Sequence, residues 1–157
     1  MKAATLSELK KELNRKTPQQ VLELCLRLGR FKKENKELIT YLLFEADNEQ
    51  GYIQSVKQEI DTQYEEMNRS NLYLAKKSIR KILRNVNKYN RYSGLPQTAV
   101  ELLIYFCYTL KNSGIPFEQS VALANLYQNQ LRKINLLIDS LHEDLQYDFR
   151  KQLDELN

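Results

Sequence analysis

Seven residues punctuate this chain: four glycines and three prolines in 157 positions. So few breakers leave long stretches rich in Leu, Lys, Glu and Gln, the side chains that lose least on entering a helix. No run alternates apolar and polar residues between turn residues, so no strand is expected. The expectation is an all-α fold, with seven or eight helices in a single compact helical bundle or a short helical-repeat-like array. A charged content of 28% against 42% hydrophobic suits a folded protein rather than a disordered one. A chain of this size buries roughly two thirds of its unfolded surface, so it needs no metal or disulfide staple. No linker rich in Pro, Gly or Ser divides it, and 1–157 reads as one domain. Ala46–Gly51 is the best boundary for an N-terminal subdomain, 1–46, packed on 47–157.

The helix ends follow from capping chemistry. Thr5 with Glu8 forms a capping box, and Leu6, Leu9 and Leu13 mark an apolar face behind it. Thr17-Pro18-Gln19-Gln20 is a stronger start, because Pro18 sits where its missing N–H costs nothing. That second helix holds Val21, Leu22, Leu24, Cys25, Leu26 and Leu28, too many for one face, so cover on more than one side is expected. Gly29 is expected to stop it in the left-handed conformation. A third helix then spans about Phe31 to Ala46. Asp47 with Gln50 opens a fourth, with Ile53, Val56, Ile60, Tyr64 and Met67 on one stripe. Asn68-Arg69-Ser70-Asn71 reads as a turn. Ser93-Gly94-Leu95-Pro96 stops the fifth helix, and Ser113-Gly114-Ile115-Pro116 repeats that punctuation. The sixth helix, opened by Thr98 with Glu101, is apolar on every side over Leu102–Tyr108 and is expected at the centre. Ser140 to Glu143 carries the pattern of a capping box, which divides the remaining stretch into two helices.

Reactive groups are sparse. The one histidine, His142, has Asp139 one turn before it, but a catalytic metal site wants three protein ligands, and a surface histidine in a first turn is the simpler reading. Cys25 and Cys107 lie in apolar runs, as two reduced, buried thiols of a cytosolic protein would. Isolated glycines build neither a phosphate loop nor a dinucleotide fingerprint. Glu101 is the one carboxylate within the most apolar run, Ala99–Leu110, and its place three residues after Thr98 makes it a capping residue. These readings predict no enzyme, no cofactor and no metal. The apolar run is well short of the roughly 20 residues of a membrane span, and the first residues lack the apolar core of a signal peptide. A cytoplasmic location without membrane attachment is expected.

One stretch points outward. Arg69–Tyr92 carries eight basic residues and no acid, in a chain whose net charge is +4. At 100° per residue, Leu72, Ala75, Ile79, Ile82, Val86 and Tyr89 share one stripe. Lys77, Lys81, Arg84 and Lys88 fall on the opposite face, spaced 4, 3 and 4 apart. Lys76, Arg80 and Arg91 lie on the flank, where acids of Glu45–Glu66 are expected to meet them. The line of four has no acid at i±4 to relieve its mutual repulsion, which marks it as an anionic-partner-binding surface. A second basic group, Arg27, Arg30, Lys32, Lys33 and Lys36, surrounds Gly29. Two functions compete. The first is a non-enzymatic scaffold or adaptor that binds another protein through an acidic patch, with a homo-oligomer compatible. The second is a nucleic-acid binder that uses 69–92 for phosphate contacts, although no zinc motif or RNA-binding signature accompanies the stripe.

Overall fold

The computed structural model describes residues 2–156 and is all-α, with eight α-helices and no strand among those residues. The chain divides into two compact units, Met1–Phe44 and Glu45–Asn157.

The first unit holds α1 (Leu6–Leu13), α2 (Pro18–Phe31) and α3 (Lys33–Thr40). Both expected capping boxes form: Thr5 with Glu8 opens α1, and Thr17 with Gln20 opens α2, with Pro18 in the first turn. Gly29 does not stop α2. The helix runs through it to Phe31 and ends where Lys32 turns extended. Asn35 Nδ2 donates to the Leu28 carbonyl at 2.9 Å, satisfying one of the acceptors a helix end leaves open. Gly29 serves packing instead, since a Cβ there would lie 3.3 Å from Ile39 Cδ1 of α3. The expected third helix is also broken. After α3 the backbone widens into a π turn, Tyr41–Glu45, then tightens into a 3₁₀ turn, Ala46–Asn48. No side chain of α1, α2 or α3 is buried, and Cys25 is exposed. This overturns the expected cover on α2. Its apolar residues wrap most of the helix, whereas within this unit α3 is the helix that packs against it.

The second unit is a helical bundle of α4 (Glu49–Glu65), α5 (Leu72–Ser93), α6 (Pro96–Asn112), α7 (Val121–Ile138) and α8 (Glu143–Asp154). α4 starts at Asn48 rather than Asp47: the Asn48 side chain accepts from the Gly51 N–H at 3.1 Å. Its stripe of Ile53, Val56, Ile60 and Tyr64 is buried, with Met67 just beyond its end. Asn71 caps α5 by accepting from the Leu74 N–H at 2.9 Å. Gly94 ends α5 with φ +69, a conformation open to glycine without strain. α6 is the central helix, packed against α4, α5, α7 and α8, with Val100, Leu102, Leu103, Phe106, Cys107 and Leu110 fully buried.

α6 begins at Pro96, so Thr98 and Glu101 lie within it and form no capping box. Both face α4 instead. The Thr98 hydroxyl, 1% exposed, donates to Glu49 Oε1 at 2.5 Å, and Lys57 Nζ lies 2.6 Å from Glu101 Oε1. A carboxylate in an apolar helix is tolerated here because a lysine from the neighbouring helix meets it. Arg69 fastens the α4–α5 turn, donating to the carbonyls of Tyr64 at 3.0 Å and Ser113 at 3.2 Å. The break near Ser140 is present, but His142 is the cap: its Nδ1 accepts from the Asp144 N–H at 3.4 Å, while Ser140 Oγ donates back to the Leu137 carbonyl.

Candidate anion-binding surface

The surface is built on α5, whose sequence fixes one apolar face. Ala75, Ile79, Ile82, Leu83 and Val86 are buried, while Leu72 and Tyr89 are half-buried at the margins. A helix pinned along that line turns the residues half a turn away toward solvent. Lys77, Lys81 and Arg84 are exposed, and Lys88 is half-buried. Tyrosines hold two of these cations. Lys77 Nζ stands 4.7 Å from the centre of the Tyr73 ring, and Lys88 Nζ stands 4.9 Å and 5.9 Å from those of Tyr89 and Tyr92. Each such contact is worth about 0.5–1 kcal/mol at an exposed site. Tyr89 and Tyr92 also meet edge to face, with centroids 6.2 Å apart. The Lys88 end of the line is therefore an ordered cation–aromatic cluster, unlike the open Lys81–Arg84 centre.

The acids of α4 do not neutralise the flank. Among the described residues no ion pair joins Lys76, Arg80 or Arg91 to α4, contrary to the expectation. The carboxylates of α4 turn to other partners. Asp61 accepts from the Tyr105 hydroxyl of α6 at 2.6 Å, and Glu49 accepts from Thr98 and from Ser93. Where α4 meets α5, polar contact comes from Asn85 to Gln63 at 2.9 Å and from the Tyr52 hydroxyl to the Tyr89 carbonyl at 2.9 Å.

A groove opens beside the line. It has a volume of about 910 Å³, and Arg84 and Arg91 of α5 share it with Lys133 of α7. Lys133 Nζ donates to Asn87 Oδ1 at 2.7 Å. Partial desolvation pushes the Lys133 ammonium below its ordinary pKa, and the nearby Arg91 guanidinium adds to the shift. The sequence reading missed this group. Arg91 carries an equivalent charge to its neighbours, and Lys133 comes from a distant helix whose spacing announces only its buried stripe of Leu123, Tyr127, Leu131, Ile134 and Ile138. No sequence signal pairs the two.

The other candidates have contacts of their own. Asp139 pairs with Arg150 at 2.5 Å rather than with His142, which lies 3.4 Å from Asp144. Cys107 is fully buried, and burial pushes its thiol up to about 12. Among the described residues no group of three or more His, Cys, Asp or Glu could hold a metal ion, and no helix is long and apolar enough to cross a membrane. The basic group around Gly29 belongs to the first unit, where Lys33 pairs with Glu37 at 3.6 Å. No protein family, curated protein or solved structure matches the chain.

Proposed function

We propose that this chain is a non-enzymatic, cytoplasmic helical adaptor that binds another protein, with Lys77, Lys81, Arg84 and Lys88 facing an acidic patch on that partner. The observation that favours a protein over other anions is the apolar surface of the first unit. Leu22, Leu24, Leu26 and Leu28 are each more than 40% exposed along α2, and Phe31 is 75% exposed. Leu24, Leu28 and Phe31, spaced i, i+4 and i+7, share one face and match the anchors with which helices engage protein partners, while Leu22 and Leu26 extend the apolar surface to the other side. The cationic line adds orientation and encounter rate more than affinity. Purification of the tagged full-length protein from native lysate at low salt tests the reading. A stoichiometric partner should be retained by wild type, reduced by Leu24→Ser with Leu28→Ser, and lost when all four cations are reversed to Glu. A wild-type protein that emerges alone and monomeric would refute it.

The exposed Lys81–Arg84 centre, with no acid at i±4 along the helix, favours nucleic acid as the second reading. Phosphate contacts would then make affinity fall steeply with salt. Gel shifts with RNA and DNA decide between the two: a shift by wild type that reversal of Lys77, Lys81 and Lys88 to Glu abolishes, with the groove residue Arg84 left in place, assigns the line to nucleic acid.

A further inference from the structure

The groove between α5 and α7 carries features that the cationic line does not account for. Three cations line it, Arg84, Arg91 and Lys133, with no carboxylate among the residues that form it. Arg84 and Arg91 stand two helical turns apart, about 10 Å along the axis, on nearly the same side of α5. Arg91 and Lys133 line the same groove, where burial first and the Arg91 charge second depress the Lys133 ammonium, and Asn87 holds the lysine in place. Two cations converging without a counter-ion repel each other, and a shared anion removes that cost.

The second feature is Asn90, which also lines the groove. Its side-chain oxygen and nitrogen are both shut off from water, and neither has a hydrogen-bond partner. An orphaned amide is destabilising where it stands, and no hydrogen bond resists its rotation into the groove. There it presents one donor and one acceptor side by side, the edge that matches the paired acceptor and donor of a purine. The third feature is apolar. Leu95, 49% exposed, joins Pro96 and Leu137 to form a non-polar wall along the same groove. Such a wall suits the face of a flat ring.

We propose that this groove binds a nucleotide, with a phosphate between Arg91 and Lys133, the base against Leu95, Pro96 and Leu137, and the Asn90 amide turned onto the base edge. The nucleotide is either a free mononucleotide or one unit of a single strand whose next phosphate reaches Arg84. The site shares Arg84 with the line of four, but Arg91, Lys133 and Asn90 belong neither to that line nor to the first unit, so variants at these three test it separately from the protein-binding reading.

Calorimetric titration of the full chain with AMP, GMP, CMP, UMP, inorganic phosphate and a mixed-sequence RNA decamer tests it. Purine mononucleotides should bind about tenfold or more tightly than phosphate alone, because the base contributes through the apolar wall and the amide. Arg91→Ser and Lys133→Met should each weaken binding about tenfold or more, through loss of a charge-assisted contact. Lys81→Ser, outside the groove, should leave mononucleotide affinity unchanged. Asn90→Leu should raise the melting temperature of the ligand-free protein while weakening purine binding, a pairing that a purely structural asparagine would not give. Much tighter binding of the decamer than of mononucleotides assigns the site to a strand, and comparable binding assigns it to a free nucleotide. The proposal is overturned if no nucleotide binds at millimolar concentration, if phosphate alone binds as well as nucleotides, or if Arg91→Ser and Lys133→Met leave affinity unchanged.

Discussion

Leu24 and Leu103 both sit mid-helix in an apolar run, yet Leu24 is 41% exposed and Leu103 is fully buried. Their helices differ less in composition than in company. α6 is packed by four helices of the bundle, whereas α2 has α3 as its partner within the first unit. The contrast separates two meanings of an all-round apolar helix. It marks the centre of a core only where enough amphipathic neighbours exist to enclose it; elsewhere it marks surface for something else to cover. The bundle has those neighbours because α4, α5 and α7 each carry a single buried stripe.

The sharpest test of this contrast uses the two thiols. Cys25 is exposed, and Cys107 is buried with its thiol pushed up to about 12 by burial. With an aromatic disulfide reagent near pH 8, Cys25 should react at once. Cys107 reacts only through opening of the bundle, slower by a factor of about 10³ or more for a domain of ordinary stability. One fast thiol in native protein and two in denaturant is the expected count; two fast thiols in native protein would break the comparison.

Core deletion comes next in size. Phe106→Ala removes a fully buried ring packed beside Tyr64 and should cost about 3–5 kcal/mol in urea unfolding. Leu24→Ser should change the bundle's unfolding free energy by no more than about 0.5 kcal/mol, the range of ordinary surface substitutions. Similar costs at the two positions would mean that α2 is enclosed in solution.

These particulars show which layers of the structure are legible in a sequence. Thr5, Thr17, Asn71 and Gly94 end or begin helices as their local chemistry demands, because a cap is decided within four residues. The stripes of α4 and α5 are equally legible, since periodicity is local too. Gly29, Glu101 and Cys25 depart from what their local sequence predicts, each for a tertiary reason. Gly29 answers to Ile39 of the neighbouring helix, Glu101 to Lys57, and Cys25 to the scarcity of neighbours around α2. The same division runs through the candidate surface. The line from Lys77 to Lys88 lies on one helix and could be drawn from spacing. The groove joins α5 to Lys133, a proximity that only the packed bundle creates.

Alkaline titration probes three phenols of the bundle, those of Tyr64, Tyr105 and Tyr127. Burial raises the phenol of Tyr64, and pushes those of Tyr105 and Tyr127 up to about 12, with the Asp61 bond adding at Tyr105. In each case the folded pKa exceeds the unfolded one, so the stabilisation is complete below the unfolded pKa of 10.0. It is lost as pH rises through the folded value. Tyrosinate absorbance should therefore rise in two phases, the second coinciding with loss of helical circular dichroism above about pH 10. A single smooth phase with helicity intact through pH 12 would show that these phenols are open to solvent.

The smallest effect compares one deletion in the two units. Asn71 accepts from the Leu74 N–H at 2.9 Å at the start of α5, and Thr17 accepts from the Gln20 N–H at 3.2 Å at the start of α2. Truncating either to Ala removes one side-chain acceptor from a first turn, at a cost of about 1 kcal/mol to the helix that loses it. In the bundle that helix is part of a cooperative core, so Asn71→Ala should lower the global unfolding free energy by about the full amount. In the first unit no side chain of α2 is buried, so Thr17→Ala should reduce far-ultraviolet helicity and speed amide exchange over α2 while leaving the bundle's midpoint in place. Equal shifts of the global midpoint would mean that the two units unfold as one, and the exposed leucines of α2 would then belong to a shared core rather than to a surface that awaits a partner.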